Sequence, residues 1–198
     1  LPNQFVLKCT HDSGGLIICK DKSKLDIKAA KKKINTSLKR NYYWYFREWP
    51  YKNVKPRIIA EKYMVDGNNI VPEDFKVYCI NEEPKYIVIF HNRFNKNKVL
   101  AETVYDTDLN IIDCSFSEHF KAIKQDFPYP EAKDLLLKLS KFLSAGFRQI
   151  RTDFYIINGK IYFGELTLYT ASGLTHFVPN EWDIKLGNLL NLGIENHE

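Results

Sequence analysis

The chain has 198 residues, 44% hydrophobic and 27% charged, with nine glycines and eight prolines; it suits one domain or two small lobes and excludes collagen-like, coiled-coil and disordered classes. No apolar run exceeds the five residues Tyr86–Phe90, so no membrane span, which needs about 20, is expected. The 29 Lys and Arg against 24 Asp and Glu give +5, a mild excess that admits nucleotides, acidic sugars or nucleic acid and selects none of them.

The chain opens at Leu1 without a basic stretch followed by an apolar one, so no signal peptide is expected, and it reads as cut from something longer. Gln4–Lys8 and Leu16–Cys19 read as short strands, with Cys9–Gly15 (CTHDSGG) as a polar, glycine-bearing turn between them. Asp26 is placed to cap a helix whose buried face is Ile27, Ala30, Ile34 and Leu38. Lys28, Lys31, Lys32, Lys33 and Lys39 fall largely on its other faces, the pattern of a solvated helix. Asn41–Pro50 (NYYWYFREWP) holds six aromatics in ten residues, expected with the other aromatics to fill a sheet core.

Strands follow over Arg57–Met64, Phe75–Ile80, Lys85–His91 and Val99–Tyr105, with Asn81–Pro84 as a hairpin turn. Glu131–Ala145 is a helix with the stripe Leu135, Leu136, Leu139, Phe142 and Leu143, ended by Gly146. Gln149–Ile157 and Lys160–Leu168 are strands joined across Asn158-Gly159, the strongest short hairpin signal. Trp182–Leu192 is expected to be a last helix. Strands and helices are mixed without strict βαβ alternation, so the fold class is α+β. The four cysteines, Cys9, Cys19, Cys79 and Cys114, form no CxxC pair, which argues against zinc and suits a reducing cytosol.

Two constellations could carry chemistry. Lys8 before the turn ending at Gly14-Gly15 can set an ammonium and backbone N–H groups around a phosphate, although the GxxxxGK[ST] order is absent and a plain hairpin turn has the same look. Across the Asn158-Gly159 hairpin, Arg151 and Asp153 share one face, as do Glu165 and Thr167. Two carboxylates facing each other on adjacent strands need a cation between them, and hard oxygen ligands favour Mg²⁺. A strict two-residue loop pairs Ile157 with Lys160, however, and sets Asp153 opposite Gly164 and Glu165 opposite Thr152, on opposite faces. The metal reading therefore requires a one-residue shift, for which Gly164 is the natural bulge site. Glu61 and Lys62 at a strand end, and Asp74 and Lys76 on one strand face, could by themselves be surface charge.

In order along the chain, LPNQFVLKCTHDSGG, REWPY, PRIIAEKYM, DFKVY and RTDFYIINGKIYFGELTLYTASG resemble the ATP-grasp fold, and more closely the TupA-like ATP-grasp family of bacterial cell-surface polysaccharide loci, named after a protein of teichuronopeptide biosynthesis. The resemblance implies two α+β lobes with antiparallel sheets gripping ATP, with Mg²⁺ on the phosphates. It divides the chain into a central lobe, 1–62, with phosphate loop and hinge strand, and a C-terminal lobe, 63–198, with the metal site. Lys8 would sit on the phosphates and Ser13, Gly14 and Gly15 would close over them. Glu61 would accept from the adenine amino group, with the backbone of Lys62, Tyr63 and Met64 along the base. Asp74 stands where the ribose-binding acid is expected, and Lys76 where related ligases have a basic phosphate or substrate contact. Asp153 and Glu165 match the metal-binding acids, Thr167 replaces the usual metal-ligating Asn, and Arg151 matches an arginine that holds the acyl phosphate. Gly173 in the segment Thr170–Thr175 could offer an N–H to an oxyanion.

The activity so implied is ATP-dependent ligation of a carboxylate to an amine through an acyl phosphate, in the cytoplasm, on a small-molecule or glycan-precursor substrate. The family also implies a lobe before Lys8, expected from a longer chain or a partner, without which ATP binding would be weak. His11 stands in the phosphate loop, His176 near the acceptor segment, and Arg93 after a strand. The rivals are a sugar phosphotransferase on the same fold and a non-catalytic module for anionic glycan or nucleic acid, the latter using the lysine helix and the aromatic segment.

Overall fold

The computed structural model describes residues 1–66, 71–92 and 99–193. They form two compact units, Leu1–Met64 and Val65–Glu198.

In the first unit, β1 (Phe5–Cys9), β2 (Ile17–Cys19) and β3 (Ile58–Lys62) make an antiparallel sheet in the order β2-β1-β3. The alternation of β1 decides its two faces. Leu7 and Cys9, with Ile17, pack on α1 (Ile27–Lys39) through Ile34, Ala30 and Leu38. Asp26 caps α1 as expected, its carboxylate accepting from the Ala29 N–H at 2.9 Å. Ile27, expected on the buried face, is exposed instead; it lies in the first turn, beyond the end of this short sheet. The aromatic segment also departs from expectation. α2 (Tyr42–Phe46) and the turn at Trp49–Tyr51 stack mostly on one another, and Trp44, Tyr45, Phe46 and Trp49 stay half or more exposed.

In the second unit, β4 (Asp74–Ile80), β5 (Glu83–His91), β6 (Ala101–Tyr105), β7 (Ile111–Ile112), β8 (Lys121–Ala122), β9 (Gln149–Ile157) and β10 (Lys160–Thr167) form, among the described residues, one sheet in the order β10-β9-β4-β5-β6-β7, with β8 parallel to β6. The β4–β5 turn is only Asn81-Glu82, both at positive φ, tighter than the expected Asn81–Pro84. On one face Phe75, Val77, Ile87, Ile89, Tyr105, Ile150, Phe154 and Ile156 pack with Leu136 of α3 (Lys133–Ser144). Leu135 and Phe142, expected in the α3 stripe, are exposed, because Leu136, Leu139 and Leu143 already cover the sheet. The other face carries Asp74, Lys76, Tyr78, Arg151 and Asp153 by alternation. Part of it is covered by Phe116, Phe177 and by Trp182 and Leu186 of α4 (Glu181–Leu189).

All four cysteines are free and buried. Burial pushes the thiols of Cys9, Cys79 (to about 11) and Cys114 (to about 12) upward. Among the described residues no helix is long and apolar enough to cross a membrane.

Candidate functional site

The register of β9 and β10 settles the question posed by the sequence. Ile157 pairs with Lys160, as the two-residue turn requires, and the pairing runs regularly to Phe154 with Phe163. It then shifts by one at Gly164, so Glu165 lies opposite Asp153 and Thr167 opposite Arg151. A Cβ on Gly164 would stand 3.0 Å from the Asp153 carbonyl oxygen and 3.3 Å from Tyr155 Cε2, tight for any other residue. Gly164 is thus the extra residue that brings both acids to one face. Deleting it is expected to keep Asp153 opposite Glu165 in a bulge-free ladder, visible by NMR as cross-strand α-proton contacts in the two flanking pairs, Phe154 with Phe163 and Thr152 with Leu166; loss of the Thr152–Leu166 contact would overturn this account of the register.

A charged cluster fills this face. The Arg151 guanidinium donates to Asp153 from Nε and Nη2, both at 2.7 Å, and to Thr167 Oγ1 at 2.9 Å, and its Nη2 stands 3.5 Å from Glu165 Oε1. Lys76 pairs with Asp153 from the other side, and Asp74 stands 4.0 Å from the Lys76 ammonium. Asp74, Lys76 and Asp153 are buried, whereas Glu165 is exposed at the rim. Burial by itself would push the Asp153 carboxyl up; Arg151 and then Lys76 outweigh it and hold the group below its ordinary range. For Arg151, burial favours the neutral form, and Asp153 more than reverses that. Tyr78, adjoining Arg151, is pushed up to about 12 by burial.

Among the described residues no three His, Cys, Asp or Glu gather as a metal cage. The donors present nonetheless suit Mg²⁺, which needs only one or two carboxylates and takes its remaining oxygens from water and phosphate. Asp153 and Glu165 are hard oxygen donors already converged on one cation, the Arg151 guanidinium, with the Thr167 hydroxyl beside them at 3.4 Å from Glu165.

Beyond Tyr78 and Arg151 the same face opens into a cavity of about 280 Å³. Its walls include Gln149, Leu168, Phe177, Asp183 and Leu186, with Tyr169, Thr170, Gly173 and Thr175. Gly173 lines it, in a tight turn where Ala171 (φ 45°) and Ser172 (φ 61°) also adopt the left-handed conformation. Such residues cost about 1–3 kcal/mol each and concentrate where a backbone must present itself to a ligand.

In the first unit, the sheet face away from α1 is open. Lys8 and Glu61 lie diagonally on it and form an ion pair at 2.8 Å, beside Val6, Ile18 and Ile59. Ser13, Gly14 and Gly15 form the loop after β1. A Cβ on Gly15 would overlap Ser37, so the loop lies directly on α1. Asp12 in that loop receives Arg40 at 2.5 Å. Lys62 ends β3, Tyr63 is buried under Lys20, and Met64 closes the unit.

His11 is buried, with neither ring nitrogen hydrogen-bonded. His176 is exposed and tied through its backbone to Glu118. Arg93 lies outside the described residues. Alternation from Lys76 could have found Tyr78, while Asp183 carries no sequence signal.

The sequence model of the TupA-like ATP-grasp family matches residues 1–191. The chain belongs to this family. Its α+β architecture of antiparallel sheets is accordingly of the ATP-grasp kind. Solved structures with a similar chain course include D-alanine–D-alanine ligase from Bacillus anthracis, at 18% identity and TM-score 0.49, covering 94% of this chain and 52% of that one. Another is the same enzyme from Helicobacter pylori, at 14% and 0.46, covering 96% and 49%. A third is the ATP-grasp ligase PsnB complexed with a phosphomimetic variant of its minimal precursor, Mg and ADP, at 13% and 0.41, covering 85% and 38%. This TupA-like chain thus spans about half or less of the length of those neighbours. No curated protein matches it.

Proposed function

We propose that this TupA-like chain carries the nucleotide and metal machinery of an ATP-dependent carboxylate–amine ligase. The observation that carries the reading is the meeting of Asp153 and Glu165 across the Gly164 bulge, with Arg151 and Lys76 in contact with the same carboxylate. A site that must neutralise phosphate charge needs this mixture of hard oxygen donors and fixed cations on one sheet face.

In the first unit the open face beside Lys8 and Glu61 would receive the nucleotide. Val6, Ile18 and Ile59 offer an apolar bed for the base, Glu61 an acceptor for its amino group, and Lys8 a cation for phosphate. The backbone of Lys62–Met64 would run along the base, and Ser13–Gly15 would cover the phosphates. Asp74 would take the ribose. Asp153 and Glu165, with Thr167 beside them, would hold Mg²⁺, which when bound supplies charge neutralisation to the phosphates.

The reaction balances without a protein nucleophile. A substrate carboxylate oxygen attacks the γ-phosphorus, the bond to the bridging oxygen breaks, and ADP leaves. The amine nitrogen then attacks the acyl carbon, the carbon–oxygen bond to phosphate breaks, inorganic phosphate departs, and the nitrogen loses its proton. Arg151 would hold the acyl phosphate, and the Gly173 N–H would face the oxyanion. The cavity beyond Tyr78 would hold the acceptor, excluding water from the acyl phosphate.

The family's setting in surface-polysaccharide synthesis supports a sugar acid or amino acid as substrate, and consumption of ATP by a chain with free thiols supports the cytoplasm. The test is phosphate release with uronic acids and amino acids, read with product mass. An amide product, lost in Glu165→Gln, is expected. A phosphorylated sugar with no amide would overturn the ligase reading in favour of a phosphotransferase.

A further inference from the structure

The charge of the chain is divided unequally. Leu1–Met64 carries fifteen Lys and Arg against five Asp and Glu, net +10, whereas Val65–Glu198 carries fourteen against nineteen, net −5. The nucleotide reading uses Lys8 on one sheet face of the first unit. Most of the remaining cations have no role in it.

Five of them are the lysines of α1, a helix without one acidic residue, and among the described residues none of the five has a salt-bridge partner. Ala29, Lys32, Lys33, Thr36 and Arg40 follow a helical stripe along α1. With Ser37 and the backbone at Gly14-Gly15 they line an open pocket of about 390 Å³. The pocket adjoins α1, on the side of the sheet opposite Lys8 and Glu61. Arg40 directs one nitrogen to Asp12 and Ser37, while its Nε is buried with no hydrogen-bond partner.

The aromatic segment begins two residues after Arg40, with its exposed rings from Trp44 onward, and Tyr42 adjoins Ser13 of the same loop. Arg47 lies 5.1 Å from the ring centre of Trp44, and Lys52 lies 4.1 Å from that of Trp49. Flat apolar faces and cations are therefore interleaved within the span of one small ring. A uronic acid carries its carboxylate on the sugar ring whose C–H face stacks, so charge and flat face arrive together. In a nucleotide the charge lies on the backbone, a sugar away from the stacking base.

We propose that the α1 pocket and the adjoining aromatic segment form a binding surface for an acidic glycan, with a sugar carboxylate among Lys32, Lys33 and Arg40 and a sugar face on Trp44 or Trp49. The surface lies on the other side of the sheet from Lys8 and Glu61, shares with the nucleotide reading only the loop at Ser13–Gly15, and holds a chain rather than reacting with it.

Calorimetric titration of the protein with tetragalacturonate, maltotetraose and poly(U) tests this, with an ATP analogue titrated in parallel. Tetragalacturonate is expected to bind and maltotetraose not to. Lys32→Ala/Lys33→Ala should weaken tetragalacturonate by about tenfold or more, and Trp44→Ala/Trp49→Ala should do so independently, with ATP-analogue binding unchanged in both. Tighter binding of poly(U) than of tetragalacturonate would mark a nucleic-acid surface and overturn the proposal. So would equal binding of the neutral glycan, or unchanged affinity in both double variants. Failure of ATP-analogue binding with the glycan response intact would count against the ligase reading alone.

Discussion

Asp153→Ala is expected to destabilise the second unit by about 3–5 kcal/mol and to abolish Mg·nucleotide binding. Its carboxylate is the shared partner of Lys76 and Arg151, and removal leaves two cations in a buried layer, with Asp74 4.0 Å from Lys76 and the exposed Glu165 3.5 Å from Arg151. The ionic arrangement itself is not needed for stability. Lys76→Met/Arg151→Met/Asp153→Leu removes both cations together with their shared carboxylate and should lose far less stability than Asp153→Ala while binding no nucleotide. Urea unfolding read by Trp182, with Trp44 and Trp49 changed to Phe, reports the second unit. Asp153→Ala within about 1 kcal/mol of the parent would sink this account. The acid limb checks the sign. The Asp153 carboxyl is lower in the folded chain than its ordinary 3.8, so its contribution is present above that pH and is lost as pH falls through the folded value. The variant should lack that part of the acid dependence.

Glu102→Ala is the second large effect, on the other side of the same sheet face. Glu102 is fully buried in β6, and its Oε1 accepts from the Ser115 hydroxyl, the Phe116 N–H at 2.6 Å and the Ser117 N–H at 3.1 Å. An orphaned donor costs about 1–3 kcal/mol; Ala strands the Phe116 N–H and leaves the Ser117 N–H only Ser115 Oγ at 3.4 Å, while the Ser115 hydroxyl keeps the Ser117 carbonyl at 2.7 Å. The damage should spread, because Ser115 exchanges backbone hydrogen bonds with Val178, next to the cavity wall at Phe177. Glu102→Gln keeps an acceptor and should retain most of the stability. Burial raises the Glu102 carboxyl above its ordinary 4.5, against the bonds that lower it. Its contribution is therefore full below pH 4.5 and is lost as pH rises through the folded value. Glu102→Gln should flatten that decline; an unchanged profile in thermal melts would show that Glu102 does not set it.

The site was more legible in the sequence than the surfaces around it. Counting residues from Asn158-Gly159 exposed the conflict between a regular ladder and a shared acid face, and one glycine stood where the conflict had to be relieved. Alternation likewise aligned Asp74 with Lys76 and Arg151 with Asp153. Periodicity names a face, however, and does not say what covers it. It therefore places Ile27, Leu135 and Phe142 inside, although Ile27 lies in the first turn of α1 and Leu136, Leu139 and Leu143 already fill the contact that Leu135 and Phe142 would share. Glu102 reads as an exposed strand residue, since its partners are backbone N–H groups 14 and 15 positions away. The aromatic run reads as core because composition cannot report that its rings stack mostly on each other.

The four sequestered cysteines have a practical use. Thiolate is the reactive form, and burial keeps Cys9, Cys79 and Cys114 protonated at neutral pH while all four sulfurs lie away from solvent. The native chain is thus a quiet background for maleimide chemistry. One surface cysteine added to each unit could carry a fluorophore pair without first stripping the natural thiols, so energy transfer could follow the two units as nucleotide is added.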